Sequence, residues 1–234
     1  MACPRRRPPV NLLAIETSTE LCSVALLRDG ELFVEETLAG NRHSEMLVPM
    51  VRKVLERARL QVSGMDAFAF GQGPGSFTGI RIACGLVQGM AFAAHRPVVP
   101  VPSLLALARQ SNEARVVAAV DARMGEAYLA AYARNGDDWD EVIAPRLVEA
   151  GAAPPLPGRS WTATGSGFDA HAWLRDSYRE SVAMRLEGDL PRAGAVARIA
   201  SRRVAQGVPA ERAAPLYLRD KVALTSEERR QAKR

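Results

Sequence analysis

Gly71-Gln72-Gly73-Pro74-Gly75-Ser76-Phe77-Thr78-Gly79-Ile80-Arg81 joins an apolar strand, residues 66–70, to an apolar helix through closely spaced glycines and a proline. Glycine reaches positive φ at little cost and lets another backbone or a phosphate come close. Ser76 is placed to cap the next helix by accepting from an amide two or three residues on. An anion cradle and a plain strand-to-helix turn are both open, because glycine loops before helices serve either purpose. The Lys-Ser/Thr ending of a P-loop is missing.

Outward from this loop, residues 11–16 and 21–28 read as strands, followed by an Asp29-Gly30 turn and a third strand at 31–38. Asp-Gly between apolar runs is a hairpin signal. A helix is expected over 44–60, where Met46, Leu47, Met50, Val51, Val54 and Leu55 fall on one face, with Pro49 either starting or kinking it. After the loop come a helix over 76–95 and a strand at 97–101. Further on, the pattern predicts a helix at 103–110, strands at 115–121 and 126–134, and loops at 135–140 and 152–158. A helix at 168–178, a short strand at 182–186 and a helix at 193–206 follow. The second half repeats the first loosely, which points to a weak internal duplication.

Three of these stretches, Ile15-Glu16-Thr17-Ser18-Thr19, the glycine loop and Val101-Pro102-Ser103-Leu104-Leu105, stand at strand ends in a recognisable order. With H-S-E-M-L-V-P-M from His43, V-D-A-R-M-G-E-A-Y from Val120 and P-L-Y-L-R from Pro215, they make the chain resemble the TsaB family. That family comprises the glycoprotease-like subunits of the bacterial system that places threonylcarbamoyl on an adenosine beside the anticodon of transfer RNA. The resemblance runs from Leu12 to about Arg219. It implies an α/β fold of two actin-like lobes with mixed sheets, here a first lobe at 10–102 and a smaller second lobe at 103–220. A disordered basic arm at 1–9 and a charged tail at 221–234 complete the expected division.

The resemblance also implies a chain without its own chemistry, which binds and activates a TsaD-like transferase alongside a TsaE-like ATPase. Transfer RNA meets it through the complex, the metal lies in the partner, and an ATP or ADP site at the subunit interface stays open. Alternatives are a nucleotide-dependent transferase or kinase of the actin-like class, and a peptidase.

Composition agrees with one or two globular units: 47% of the 234 residues are apolar and 24% charged. The net charge of +5 permits nucleic acid as a partner without requiring it. Nearly all cations are arginine, a preference that general surface use explains as well as RNA binding does. Cys3, Cys22 and Cys84 form no C-x-x-C pair and leave one thiol over under any pairing, which places the chain in the cytosol. No run near ~18 apolar residues is expected, so no membrane partner is either.

Glu16, Thr17 and Ser18 stand where actin-like ATPases carry their first phosphate hairpin, and Gly73, Gly75, Ser76 and Thr78 join them as candidate nucleotide residues. A polar hairpin held by its own hydroxyls is the alternative. Catalytic relatives follow the next strand with a His-x-x-x-His metal motif; Ser103 and Leu107 occupy those positions here, so no metal site is expected. His43 reads as a surface or helix-entry residue, His95 as a helix end and His171 as helix surface. Cys84, mid-helix among apolar residues, reads as core.

A partner face is expected on the helix after the glycine loop. Gly85, Gly89 and Ala93 recur every four residues, flanked by Ile82, Leu86 and Met90, and Met46 with Met50 extends the face onto the preceding helix. Glycine within a helix costs about 1 kcal/mol relative to alanine, a loss that close approach of another helix offsets. Asp121, Arg123 and Glu126 cluster at a turn, either as a hairpin salt bridge or as an interlobe or interface element.

Overall fold

The computed structural model describes residues 10–219. Its first sheet is built from β1 (Leu12–Glu16), β2 (Leu21–Arg28), β3 (Glu31–Leu38), β4 (Ala67–Gly71) and β5 (Val98–Val101), in the order β3-β2-β1-β4-β5. β1 pairs antiparallel with β2 and parallel with β4. The second sheet contains β6 (Arg115–Arg123), β7 (Glu126–Asn135), β8 (Asp138–Val148), β9 (Trp161–Thr164) and β10 (Val182–Leu186), in the order β10-β9-β6-β7-β8. Read from its other end, this is the same plan: an antiparallel meander whose first strand also pairs parallel with a fourth. The duplication is therefore topological, and the fold is the two-lobed actin-like one.

Both sheets are covered on both faces, so successive residues of a strand enter different cores. Leu13 and Ile15 pack under α1 (His43–Ala58) and α2 (Phe77–Ala94), while Leu12 and Ala14 face the layer between the sheets. That shared layer holds α3 (Ser103–Arg109) and α6 (Ala193–Ala200), with Val116, Ala118 and Val120 of the second sheet on its far side. Val117 and Ala119 face outward onto α4 (Ser166–Ala170) and α5 (Ala172–Ser177).

Several elements differ from expectation. Of the expected loop at 135–140 only Gly136 and Asp137 form a turn; Asn135 ends β7 and residues 138–140 open β8, an edge strand, where a sheet tolerates charges and Pro145. The helix expected at 168–178 is two short helices separated at His171, whose φ of −120° is extended. The helix expected to reach 206 stops at Ala200 and gives way to a 3-10 turn at Val204–Gln206. Pro49 neither starts nor ends α1, which runs through it.

The boundary at 103–220 also shifts, because the chain leaves the second sheet after β10 and returns to the first. Ala193 N–H donates to Ser23 Oγ at 2.8 Å, Val208 bridges Val98, and Leu216 N–H donates to the Gln72 carbonyl at 2.7 Å. Residues 193–219 thus complete the first lobe. The expected arm at 1–9 and the tail at 221–234 lie outside the described residues.

α2 corrects one further expectation: its 18 residues are long and apolar enough, by length and composition alone, to cross a bilayer, although Arg81 lies within it. Here it packs on the first sheet with Ala83, Val87 and Ala91 inward, and a core helix passes the same test.

Candidate functional site

The glycine loop is a turn that stitches two strand ends together. Ser76 caps α2, accepting from Gly79 N–H at 3.3 Å, and its own amide donates to the Ser18 carbonyl at 2.7 Å. Thr17 Oγ1 donates to the Gly79 carbonyl at 2.7 Å. A Cβ on Gly79 would lie 2.0 Å from the Thr17 carbonyl oxygen, and one on Gly75 would lie 2.3 Å from that of Ser18. The glycines are there because backbone meets backbone.

Glu16 turns inward. It is fully buried; its carboxylate accepts from Ser18 N–H at 2.7 Å and from Ser103 Oγ at 2.8 Å, while Gly73 N–H donates to the same hydroxyl at 3.2 Å. A Cβ on Gly71 would stand 1.8 Å from Glu16 Oε2, so the carboxylate fills the space beside β4. Burial pushes the Glu16 carboxyl above its ordinary range, and the hydrogen bonds from Ser18 and Ser103 pull the other way. Ser103 closes this internal network. Among the described residues no three His, Cys, Asp or Glu side chains are grouped to hold a metal ion.

With the amides of Ser18, Gly73, Ser76 and Gly79 engaged inside the chain, this hairpin and loop offer few donors to a phosphate. What remains faces the cleft between the lobes, a cavity of about 440 Å³ lined by Ser18, His43, Ser76, Phe77, Asp121 and Tyr217 among others. Ser18 Oγ and His43 Nε2 are buried there without a hydrogen-bond partner among the described residues. His43 opens α1, in keeping with its helix-entry reading, but it is buried at 5% exposure and so is not a surface position. Thr78 is exposed in the first turn of α2, where the leading amides of Phe77 and Thr78 have no intrahelical acceptor.

The β6–β7 turn and a strap formed by residues 213–219 close one side of this cleft. Arg123 is ion-paired with Asp121 at 3.2 Å, and Asp121 also bonds His171 Nε2 at 3.1 Å. His171 is thereby mostly buried instead of lying on a helix surface. Arg123 and Met124 both hold positive φ, and their side chains project into solvent. Glu126 pairs with Arg219 of the strap. Two residues earlier, Tyr217 OH accepts from Arg81 Nε at 2.7 Å, and Phe77 lies against the same guanidinium, 3.6 Å from ring centre to Cζ.

The outer face of α2 is open. Gly85, Gly89 and Ala93 are exposed, and a Cβ on either glycine would meet nothing within 4 Å. Ile82, Leu86 and Met90 flank them half-buried. Phe92 at 71% and Val48 at 44% exposure add apolar surface that the sequence reading missed. On α1, Met46 is half-buried, whereas Met50 is buried at 6% and belongs to the core. Cys84 is also core: its thiol contacts the Ala213 carbonyl at 3.6 Å, and burial pushes its pKa up.

A sequence profile described as TsaD, tRNA N6-adenosine threonylcarbamoyltransferase, matches residues 35–171. The tRNA threonylcarbamoyladenosine biosynthesis protein TsaB of Escherichia coli strain K12 is 38% identical over 228 residues, covering 92% of this chain and 96% of that protein. This chain belongs to the TsaB family. TsaB of Haemophilus influenzae is 42% identical over 150 residues, 59% of this chain and 64% of its own length. A crystal structure from Pseudomonas aeruginosa, described as similar to peptidase YeaZ, superposes with a TM-score of 0.83 at 37% identity, covering 90% of this chain and all of that one.

Proposed function

We propose that this chain is a non-catalytic subunit in the synthesis of threonylcarbamoyladenosine in tRNA, seating a TsaD-like transferase against α2 and holding it in a competent geometry. The observation that carries the reading is the α2 face: two glycines in open space, flanked by half-buried apolar side chains, form a smooth apolar groove suited to another helix. Family membership supports the pathway. Engagement of the hairpin amides and of Glu16 inside the chain supports the absence of chemistry here, since an acid buried against Ser103 is not placed to meet a nucleotide-bound metal.

In this reading the metal and the ATP chemistry belong to the TsaD-like and TsaE-like partners. An adenine nucleotide is held where subunits meet, with Ser18, His43 and the first turn of α2 as this chain's contribution. Asp121, Arg123 and Glu126 face the same junction. The chain works in the cytoplasm, touches tRNA through the complex, and pairs with itself through α2 when alone.

Threonylcarbamoyl incorporation into tRNA tests this directly, with purified TsaD-like and TsaE-like proteins and preformed threonylcarbamoyl-adenylate. Incorporation only when partners and chain are combined is the expected result. Incorporation by this chain alone, or by the partners without it, overturns the reading.

A further inference from the structure

The interlobe cleft holds polar groups that no contact within the chain explains. Ser18 Oγ and His43 Nε2 have no hydrogen-bond partner among the described residues, although the two residues are only 3% and 5% exposed. Buried polar atoms are destabilising when left unpaired, and both of these residues line one cavity of about 440 Å³, a size usual for small-molecule sites. α2 begins on the same wall, where Ser76 and Phe77 line the cavity. The leading amides of this 18-residue helix, those of Phe77 and Thr78, have no acceptor within it, and its dipole is positive at that end.

Aromatic surface stands beside these donors. Phe77 and Tyr217, which both line the cavity, are 37% and 49% exposed, with ring centres 5.9 Å apart and planes tilted by 43°. Arg81 fixes the two rings, its guanidinium 3.6 Å from the centre of Phe77 and its Nε donating to the Tyr217 hydroxyl. Exposed rings held in this way suit a nucleobase, which stacks on any flat π face.

The charges around the cleft limit what else the ligand carries. Glu20, Asp121 and Glu126 stand against Arg81, Arg123 and Arg219; Arg123 is paired with Asp121, and Arg219 with Glu126. A polyphosphate, with its several negative charges, therefore meets no cationic excess, and the amides of Ser18, Ser76 and Gly79 are engaged inside the chain. One phosphate needs only a few neutral donors. A hydroxyl, an imidazole N–H and the start of a helix supply them.

The geometry points to a site for a nucleoside monophosphate: Ser18 Oγ, His43 Nε2 and the leading α2 amides take its single phosphate, and the Phe77–Tyr217 wall takes its base. The inference deepens the adenine-nucleotide reading above and rests on it for the choice of base.

The test titrates the full chain, alone and assembled with its TsaD-like partner, with AMP, ADP, ATP and inorganic phosphate, following heat and the imidazole proton resonances of His43. AMP is expected to bind and to shift those resonances, with ADP and ATP several-fold weaker. Ser18→Ala and His43→Gln should each weaken AMP about tenfold; Tyr217→Leu should weaken AMP but not phosphate, and Tyr217→Phe should keep both. Should a substitution at buried Ser18 or His43 unfold the chain, the resonances of the unsubstituted protein still decide. ADP or ATP binding more tightly than AMP overturns the inference, as does AMP binding that leaves His43 unmoved. Phosphate binding as tightly as AMP marks a small-anion site and overturns it too, and so does the absence of AMP binding in both the chain and the complex. AMP binding as expected, with tRNA modification independent of this chain, upholds the site and refutes the accessory-subunit reading instead.

Discussion

Thr17 and Gly79 hold each other: the threonine hydroxyl donates to the glycine carbonyl at 2.7 Å, and a Cβ on the glycine would stand 2.0 Å from the threonine carbonyl oxygen. The end of β1 and the first turn of α2 are therefore in backbone contact. Gly79→Ala gains about 1 kcal/mol of helix propensity but forces the two apart. Urea unfolding should show a net loss of about 1–3 kcal/mol, and a stabilised variant would refute the contact.

Glu16 makes stability depend on pH. Its folded pKa lies above the ordinary carboxyl value that it has in the unfolded chain, so its contribution is complete below that ordinary value. The contribution drains as pH rises through the folded pKa. Glu16→Gln removes this dependence while keeping an acceptor for Ser18 N–H. The stability of Glu16→Gln relative to the parent should rise between pH 4 and pH 8, by about 1.4 kcal/mol for each unit separating the two pKa values. A flat or falling difference in urea melts at the two pH values would contradict the assignment.

The strap depends on its contact with α2. Arg81→Ala removes the donor to Tyr217 and the guanidinium that Phe77 packs against. Hydrogen exchange should show the Leu216 amide, bonded to the Gln72 carbonyl, losing protection while the amides of β1 keep theirs. Equal protection in parent and variant would mean that Arg81 does not anchor the strap.

Met46 and Met50 separate core from surface on one helix. Met50→Ala should cost about 2–5 kcal/mol, because Met50 is 6% exposed within the core under α1 and α2. Met46→Ala, at a half-buried position, should cost clearly less in thermal or chemical unfolding. Equal losses would place both in the core.

The first lobe was legible because its signals are local: Asp-Gly at the first hairpin, Ser76 before an apolar helix, and glycines where backbones touch. The purpose of those glycines was not legible, since phosphate and backbone make the same demand on a loop. Met50 was misplaced because helical periodicity puts it on a face with Met46 without saying which edge of that face the sheet covers. β8 was missed because an exposed edge strand tolerates the charges and proline that mark loops. His43 gave no sign of burial, which arises from contacts between segments distant in sequence. The return of residues 193–219 to the first lobe is likewise a tertiary event, with a short helix whose apolar face would suit either sheet.

The central claim is that α2 presents its open glycine face to the transferase, and Gly89→Leu tests it most directly, because a side chain there enters open space. Calorimetric titration with the TsaD-like protein, paired with a thermal melt, should show affinity falling at least tenfold with the melting temperature preserved. Undiminished affinity in the folded variant would contradict the account.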